Sequence, residues 1–343
     1  MSHPLFADDL GHVLDYTQDL WEELRGNRIF ITGATGFIGT WLLESFAYAN
    51  DRLGLGATAV CLTRDPAAFR LRAPRLAARN DIVLVRGDVR DFAFPPGVFS
   101  HVIHAATASA VAIPALEMLD TIVLGTRRTL EFAVNAKAKK FLLTSSGAIY
   151  GRQPPDMSHV PEAFAGAPDL STPASAYGEG KRVAELLCGI HRRERGIETK
   201  VARCFAFVGP HLPLDAHFAV GNFIRDGLAG GEIRVKGDGT ANRSYLYTAD
   251  LMIWLWTILM RGRPGDVYNV GSEQELSIGE LAKRVADAFQ PAPPVVIERA
   301  QTLGKPHERY VPATHKARAE LGLVQRIDLP AAVRKTVAWH RTV

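Results

Sequence analysis

A run of glycines set into "RIFITGATGFIGTWLLESF" (28–46) restricts the possible folds more than any other stretch of the chain. Gly33, Gly36 and Gly39 follow a short apolar run directly and open a segment of helical spacing. A turn of this kind must be tight, and its backbone must approach whatever sits at the positive end of the helix. Glycine at all three places meets both demands, and strand, glycine turn and helix together cradle the pyrophosphate of a dinucleotide. Further apolar runs at 57–63, 81–87, 101–106, 140–146 and 199–205 are separated by helical patterns. Continuous rather than alternating apolar strands, with helices between them, predict a parallel sheet covered on both faces. The expected fold is therefore α/β, a doubly wound parallel sheet followed by a smaller mixed α/β C-terminal lobe.

The sequence divides into a helical N-terminal extension (1–26), a dinucleotide-binding domain (27–208) and a C-terminal lobe (209–343) interleaved with the last sheet strands. In the extension, Leu10, Val13, Leu14, Leu20, Trp21 and Leu24 fall near helical spacing. The lobe reads as a helix near 218–229, a strand "EIRVKG", an apolar helix, a strand "DVYNVG", a helix "SIGELAKRVADAF" and a closing helical pair. "QPAPPVV" is a connector too short to link domains.

Within the glycine turn, Gly33, Thr35, Gly36, Phe37, Ile38 and Gly39 are the expected cofactor contacts. Asp88 and Val89, after the third strand, are placed for the adenine edge. Ala105 and Ala106 open "HAATASA", where small residues let the backbone pass the nicotinamide side. The end of the second strand selects the cofactor, because an acid there bonds a ribose 2′-hydroxyl and a basic residue suits a 2′-phosphate. This chain has Thr63 and Arg64 at that point, with Asp65 displaced beyond them. NADP is favoured, and NAD stays open. His101 and His104 read as packing residues of the fourth strand.

Tyr177 and Lys181 lie four apart in "SAYGEGKRVAE" and share one helix face. An ammonium beside a phenol stabilises the phenolate and lowers its pKa from about 10, as proton transfer at a sugar or carbonyl oxygen requires. Ser146, closing the fifth strand, can hydrogen-bond the same substrate oxygen. Ser146, Tyr177 and Lys181 are thus the expected catalytic residues, with Tyr177 and Lys181 also touching the cofactor.

The order "TGATGFIG", "GDVRD", "HAA", "SSGAIYG", "YGEGK", "RCFAFVGP", "GDGTANRSYLYTADL" and "YNVGS" resembles the extended short-chain dehydrogenase/reductase family, in particular its nucleotide-sugar epimerases, dehydratases and decarboxylases. "YGEGKRVAELLC" is similar to the UDP-glucuronate decarboxylase branch. The resemblance implies a Rossmann-type doubly wound domain with a retained nicotinamide cofactor, a C-terminal substrate lobe that binds a nucleoside diphosphate sugar, and Asn222, Arg243 and Arg309 as contacts to the substrate's diphosphate or nucleotide. It also implies a homodimer formed through helices near 113–136 and 176–194. Two departures stand out. Ala206 in "RCFAF" occupies a place where the family has Asn, and Gly147 and Ala148 occupy the places of the dehydratases' Asp-Glu pair, whose Glu the decarboxylases keep.

Tyr, Lys and Ser without an added acid can take hydride and proton from a sugar hydroxyl and return them, which suffices for an epimerase oxidising C4. The alternatives are a 4-keto reductase, a decarboxylase, a 4,6-dehydratase, a carbonyl reductase acting on a non-sugar, and a dinucleotide-binding regulatory module without turnover. The formal charge of +4 is scattered, with "RRER" (192–195) its densest cluster, so nucleic acid is not an expected partner. Cys61, Cys188 and Cys204 show no pairing or metal-ligand spacing, and no metal site is expected. Asp8 and Asp9 stand where a secretory signal would be basic, and "LMIWLWTILM" (251–260) is far shorter than the roughly 20 residues that span a bilayer. A cytoplasmic setting and a buried helix are expected.

Overall fold

The computed structural model describes residues 4–107, 113–216, 218–301 and 307–342. Seven strands form the central sheet: β1 (Arg28–Thr32), β2 (Thr58–Thr63), β3 (Ile82–Arg86), β4 (His101–His104), β5 (Lys140–Ser146), β6 (Glu198–Cys204) and the strand Val267–Val270. Neighbours are parallel throughout, in the order β3-β2-β1-β4-β5-β6 and then Val267–Val270. The order reverses between β1 and β4, and the carboxyl ends of those strands open the crevice where doubly wound sheets take their ligand. β4 is buried along its whole length and β5 from Phe141 to Ser146, as strands covered on both faces must be.

β4 ends at His104 rather than continuing through Ala106. Ala105 and Ala106 turn toward the end of β1, where Ala105 N donates to the Thr32 carbonyl (3.1 Å) and Ala106 N to Thr32 Oγ1 (3.2 Å). Ala108 to Ala110, the remainder of "HAATASA", lie outside the described residues.

On one side of the sheet the helices Ala115–Asn135 and Ala176–Arg195 pack against each other. The second ends at Gly196 in the left-handed conformation, and Arg192, Arg193 and Arg195 fill its last turn. Cations there complement the negative end of the helix dipole, which accounts for the basic cluster. On the other side the helix Thr248–Arg261 holds the apolar run, and every residue from Thr248 to Met260 is buried. No described helix is long and apolar enough to cross a membrane.

The later elements are the helix Ala219–Leu228, the strand Ile233–Val235 paired with Val295–Ile297, the helix Ile278–Ala286, and the closing helices His315–Leu321 and Leu329–His340. A short strand, Asn242–Arg243, pairs with Leu276–Ser277 on one edge and Arg309–Tyr310 on the other. The N-terminal segment forms the helix Pro4–Asp15 and the 3-10 helix Gln18–Leu24. The first packs Phe6, Leu10 and Val13 against the helices Phe37–Leu53, Thr248–Arg261 and Leu329–His340. Its Asp9 is buried and accepts hydrogen bonds from Tyr247 Oη and from Lys335 Nζ, the latter at 2.8 Å.

Candidate active site

The glycine turn is built as tightly as the sequence implies. Gly33 has φ of +69°, and a Cβ on it would lie 2.5 Å from the Ala105 carbonyl carbon. A Cβ on Gly39 would lie 2.1 Å from the Gly33 oxygen. The bare backbone therefore leaves a cradle at the start of the helix Phe37–Leu53, beside Ala105 and Ala106, that fits a dinucleotide pyrophosphate. Phe37 and Ile38 are partly buried and pack against the core. Beneath the turn, His104 joins Thr32 Oγ1 (2.7 Å) and Thr126 Oγ1 (3.0 Å), and burial, aided by the positive charge of Lys181, pushes its pKa down to about 3. His104 is thus a neutral strut between strand and helix. His101 is likewise held neutral by burial, with its pKa near 4.

At the adenine end, Asp65 caps the helix Pro66–Arg72 by accepting from Ala68 N at 3.0 Å. Its carboxylate is held by that helix, while Arg64 stays exposed and close enough for its charge to bear on Asp88. Asp88 is gripped by Arg90 through Nε at 2.8 Å and Nη2 at 3.0 Å, which holds its carboxyl below the usual range. Val89 is buried against Gly125. Arg72, which the sequence reading does not single out, donates to the Thr35 carbonyl and so lies across the glycine turn. Nothing in its local sequence signals this, because the contact depends on how the helix Pro66–Arg72 folds back over the turn.

β5 delivers Ser146, and the helix Ala176–Arg195 delivers Tyr177 and Lys181 on one face. Lys181 is buried, donates to the Thr144 carbonyl at 2.8 Å, and sits 5.9 Å from the Tyr177 ring centroid. Burial lowers its pKa to about 8. The effect on Tyr177 differs from the sequence expectation. Burial of the phenol dominates and holds its pKa above the ordinary value, and the group that draws it down is Ser146, by hydrogen bonding. Lys181, its pKa lowered by burial, has lost its charge before the phenol titrates, so in this state it does not draw the Tyr177 pKa down.

Ser146 Oγ accepts from Ala148 N at 3.1 Å and lies 3.4 Å from the hydroxyl of Tyr310. Tyr310 comes from the short strand paired with Asn242–Arg243, and its ring packs on Phe205 with centroids 4.6 Å apart. Together these two rings fill the place of a side chain at 147: a Cβ on Gly147 would be 2.7 Å from Phe205 and 2.8 Å from the Tyr310 hydroxyl. Sequence reasoning missed Tyr310, although it adjoins the predicted Arg309.

Arg243 lies with its guanidinium 6.0 Å from the Tyr310 ring and donates to the Asn242 carbonyl. Arg309 is engaged elsewhere, by Glu275 at 2.7 Å and the Pro155 carbonyl at 3.1 Å. Asn222 has its amide 2.9 Å from the Ala216 carbonyl and 3.1 Å from the Leu214 carbonyl, tying its helix to the preceding loop. Ala206 packs against the core.

Residues 29–271 match the NAD dependent epimerase/dehydratase family. UDP-glucuronic acid decarboxylase 3 of Arabidopsis thaliana is 30% identical over 305 residues, covering 88% of this chain and 85% of that protein. dTDP-glucose 4,6-dehydratase of Streptomyces antibioticus is 27% identical over 326 residues, covering 91% and 92%. Among solved structures, UDP-glucuronic acid 4-epimerase from Bacillus cereus, in complex with UDP-glucuronic acid and NAD, has a TM-score of 0.77 at 19% identity, covering 92% of this chain and 99% of that one. At that identity the likeness speaks for the fold, while the family match spans the glycine turn, Ser146, Tyr177 and Lys181 together. On those grounds the chain is an enzyme of the NAD-dependent epimerase/dehydratase family, within the extended short-chain dehydrogenases/reductases.

Proposed function

We propose that the chain is a nucleotide-sugar epimerase acting by transient oxidation at C4 of the sugar. One observation carries this reading: above Ser146, at the place of the dehydratases' acid, stand the Phe205 ring and the Tyr310 hydroxyl. Nearby Glu185 is held by Arg203 at 2.7 Å and Ser145 at 2.5 Å. Among the described residues no carboxylate hydrogen-bonds Ser146, Tyr177 or Lys181, whose partners are a backbone amide, a carbonyl and hydroxyl groups.

A nicotinamide cofactor held at the glycine turn would supply the hydride acceptor and donor for C4. The chain's own residues handle the proton and the orientation. Ser146 and Tyr177 hold the 4-hydroxyl oxygen, Tyr177 removes its proton and later gives it back, and the Lys181 charge favours the phenolate. Epimerisation then requires only that the keto sugar turn over before it is reduced.

Decarboxylation is the second reading, favoured by sequence relatives named as UDP-glucuronic acid decarboxylases. It begins with the same oxidation, since a 4-keto uronate is a β-keto acid that loses carbon dioxide readily. Both readings are tested by incubating nucleotide hexoses and uronates with the protein in deuterated water. The expected product has inverted C4, no deuterium at C5 and an intact C6. A 4-keto-6-deoxy sugar would establish a dehydratase, and a pentose would establish a decarboxylase.

The proposed cofactor is NADP. Asp65 is engaged as a helix cap and Arg64 is exposed, which suits a 2′-phosphate better than a ribose hydroxyl. Arg64→Ala is expected to weaken NADP(H) by about 1.5–3 kcal/mol, as for loss of a hydrogen bond to a charged group, and NAD(H) far less. Titration showing equal losses for both would remove the assignment.

The proposed assembly is a homodimer through the helices Ala115–Asn135 and Ala176–Arg195, which expose Leu116, Leu124, Leu186 and Ile190. Sedimentation at the mass of a single 37.5 kDa chain would exclude it.

A further inference from the structure

We infer that Arg203 and Glu185 form a positioning pair that fixes the helix Ala176–Arg195 in register on β5, and so sets where Tyr177 and Lys181 stand relative to Ser146. The inference rests on the proposed reading of Tyr177 and Lys181 as the proton-transferring pair, but not on which sugar is turned over. Apolar packing holds a helix on a sheet without dictating its rotation or its advance along a strand, because burial is non-directional. Hydrogen bonds are directional, and two of them one helical turn apart fix both. Tyr177, Lys181 and Glu185 recur at intervals of four along this helix and share one face. Lys181 Nζ donates to the Thr144 carbonyl at 2.8 Å, and Glu185 accepts from Ser145 Oγ at 2.5 Å. Ser146 is the next residue of the same strand.

The flexible stem of a lysine can follow a helix that shifts, whereas a carboxylate held from two sides cannot. The second side is Arg203, with Nη2 2.7 Å from Glu185 Oε2 and Nε 3.1 Å from Oε1. Arg203 stands opposite Ser145 in the pairing of β5 with β6, so the helix and both strands meet at this one carboxylate. Each side chain of the ion pair is only 12% exposed.

The remaining nitrogen of Arg203 reaches the other half of the site. Its Nη1 donates to Tyr150 Oη at 2.7 Å and to the Glu162 carbonyl at 3.0 Å. Tyr150 donates in turn to Asn269 Oδ1 at 2.8 Å, and the Asn269 amide donates to the Ala313 carbonyl at 3.0 Å. Ala313 lies three residues beyond Tyr310, whose hydroxyl approaches Ser146. One guanidinium therefore ties the helix of Tyr177 and Lys181 to the segment that brings Tyr310 to the same serine.

Removing one member of a largely buried ion pair leaves the other charge uncompensated and costs stability, whatever the pair does, while replacing both with neutral groups restores much of it. The test is therefore Glu185→Gln/Arg203→Met, followed by thermal unfolding and by titration of Lys181. The titration uses the Cε resonance of isotopically labelled lysine, identified as the signal lost on Lys181→Arg. In the unaltered protein burial lowers the Lys181 pKa to about 8. The groups whose charge bears on it are Glu185 and Cys188 on its own helix, Cys204 on β6 and His104 on β4. Burial keeps both thiols protonated and His104 neutral near that pH, and the double substitution removes one charge of each sign. A shift therefore reports the seating of the helix on β5. With the register lost, the ammonium gains water, and its midpoint is expected to rise by about one pH unit or more toward the ordinary value of about 10.4, with unfolding within a few degrees of the unaltered protein. On a competent nucleotide sugar, kcat is expected to fall about tenfold or more with KM little changed. A midpoint that stays put or falls, a rise seen only with lost stability, or a kcat that recovers along with stability overturns the inference. If the double variant does not fold, Ser145→Ala removes only the hydroxyl bonded to Glu185. It is expected to raise the midpoint by about half a pH unit, the worth of one hydrogen bond, and an unmoved midpoint there overturns the inference too. The lysine titration needs no substrate, so it decides the matter even if the proposed reaction fails.

Discussion

Replacing Tyr177 by Phe is expected to lower turnover by on the order of 10²-fold or more, the usual worth of a positioned proton-transfer group. Cofactor affinity is expected to stay within a few-fold. The substitution deletes one oxygen from a ring that remains packed beside the core under the sheet. Lys181 keeps its bond to the Thr144 carbonyl and Ser146 keeps its bond from Ala148 N, so the surroundings have little reason to rearrange. The loss should therefore fall on kcat, with KM little changed. Steady-state kinetics with a competent nucleotide sugar and fluorescence titration of the cofactor measure the two separately. Activity within a few-fold of the unaltered protein would remove Tyr177 from the chemistry.

Gly39→Val is expected to abolish measurable cofactor binding, a loss of about 10²-fold or more, because the pyrophosphate must sit against this backbone. A side chain at Gly39 would start 2.1 Å from the Gly33 oxygen and 2.5 Å from Ala34 Cα. These are main-chain atoms that cannot swing aside, so the turn itself must open. Overpacking of this kind also costs about 1–3 kcal/mol of stability. Calorimetry against NAD(H) and NADP(H), together with a thermal unfolding curve, checks both effects. Retained affinity would mean that the dinucleotide does not lie across this turn.

The sheet and the glycine turn were legible because their causes are local. Unbroken apolar runs mark strands covered on both faces, and three spaced glycines mark a turn without room for side chains. Tyr177 and Lys181 were singled out by helical spacing read together with the glycine turn and Ser146, and they do share one helix face. Arg72, Tyr310 and the shared occupancy above Gly147 were not, since each depends on segments distant in sequence meeting in space: Tyr310 lies 164 residues from the serine it approaches. Arg309 shows the same limit from the other direction. Its motif position suggested a ligand contact, and what the sequence does not reveal is its pairing with Glu275, which reaches it from beside the strand Leu276–Ser277 across Asn242–Arg243. The strength of the ammonium effect on Tyr177 was also beyond reach, because it turns on how deeply the fold buries Lys181.

The helix Pro4–Asp15 has a bearing on how the protein is made. Asp9 leaves the ribosome 326 positions ahead of its partner Lys335. At roughly 5–20 residues per second, that gap is on the order of a quarter of a minute to a minute of synthesis. Throughout it the apolar face carrying Phe6, Leu10 and Val13 lacks the closing helix that completes its cover. The nascent chain must therefore carry an unfinished seam until the helix Leu329–His340 has emerged, and translation pauses or chaperones acting within that interval are expected to affect yield.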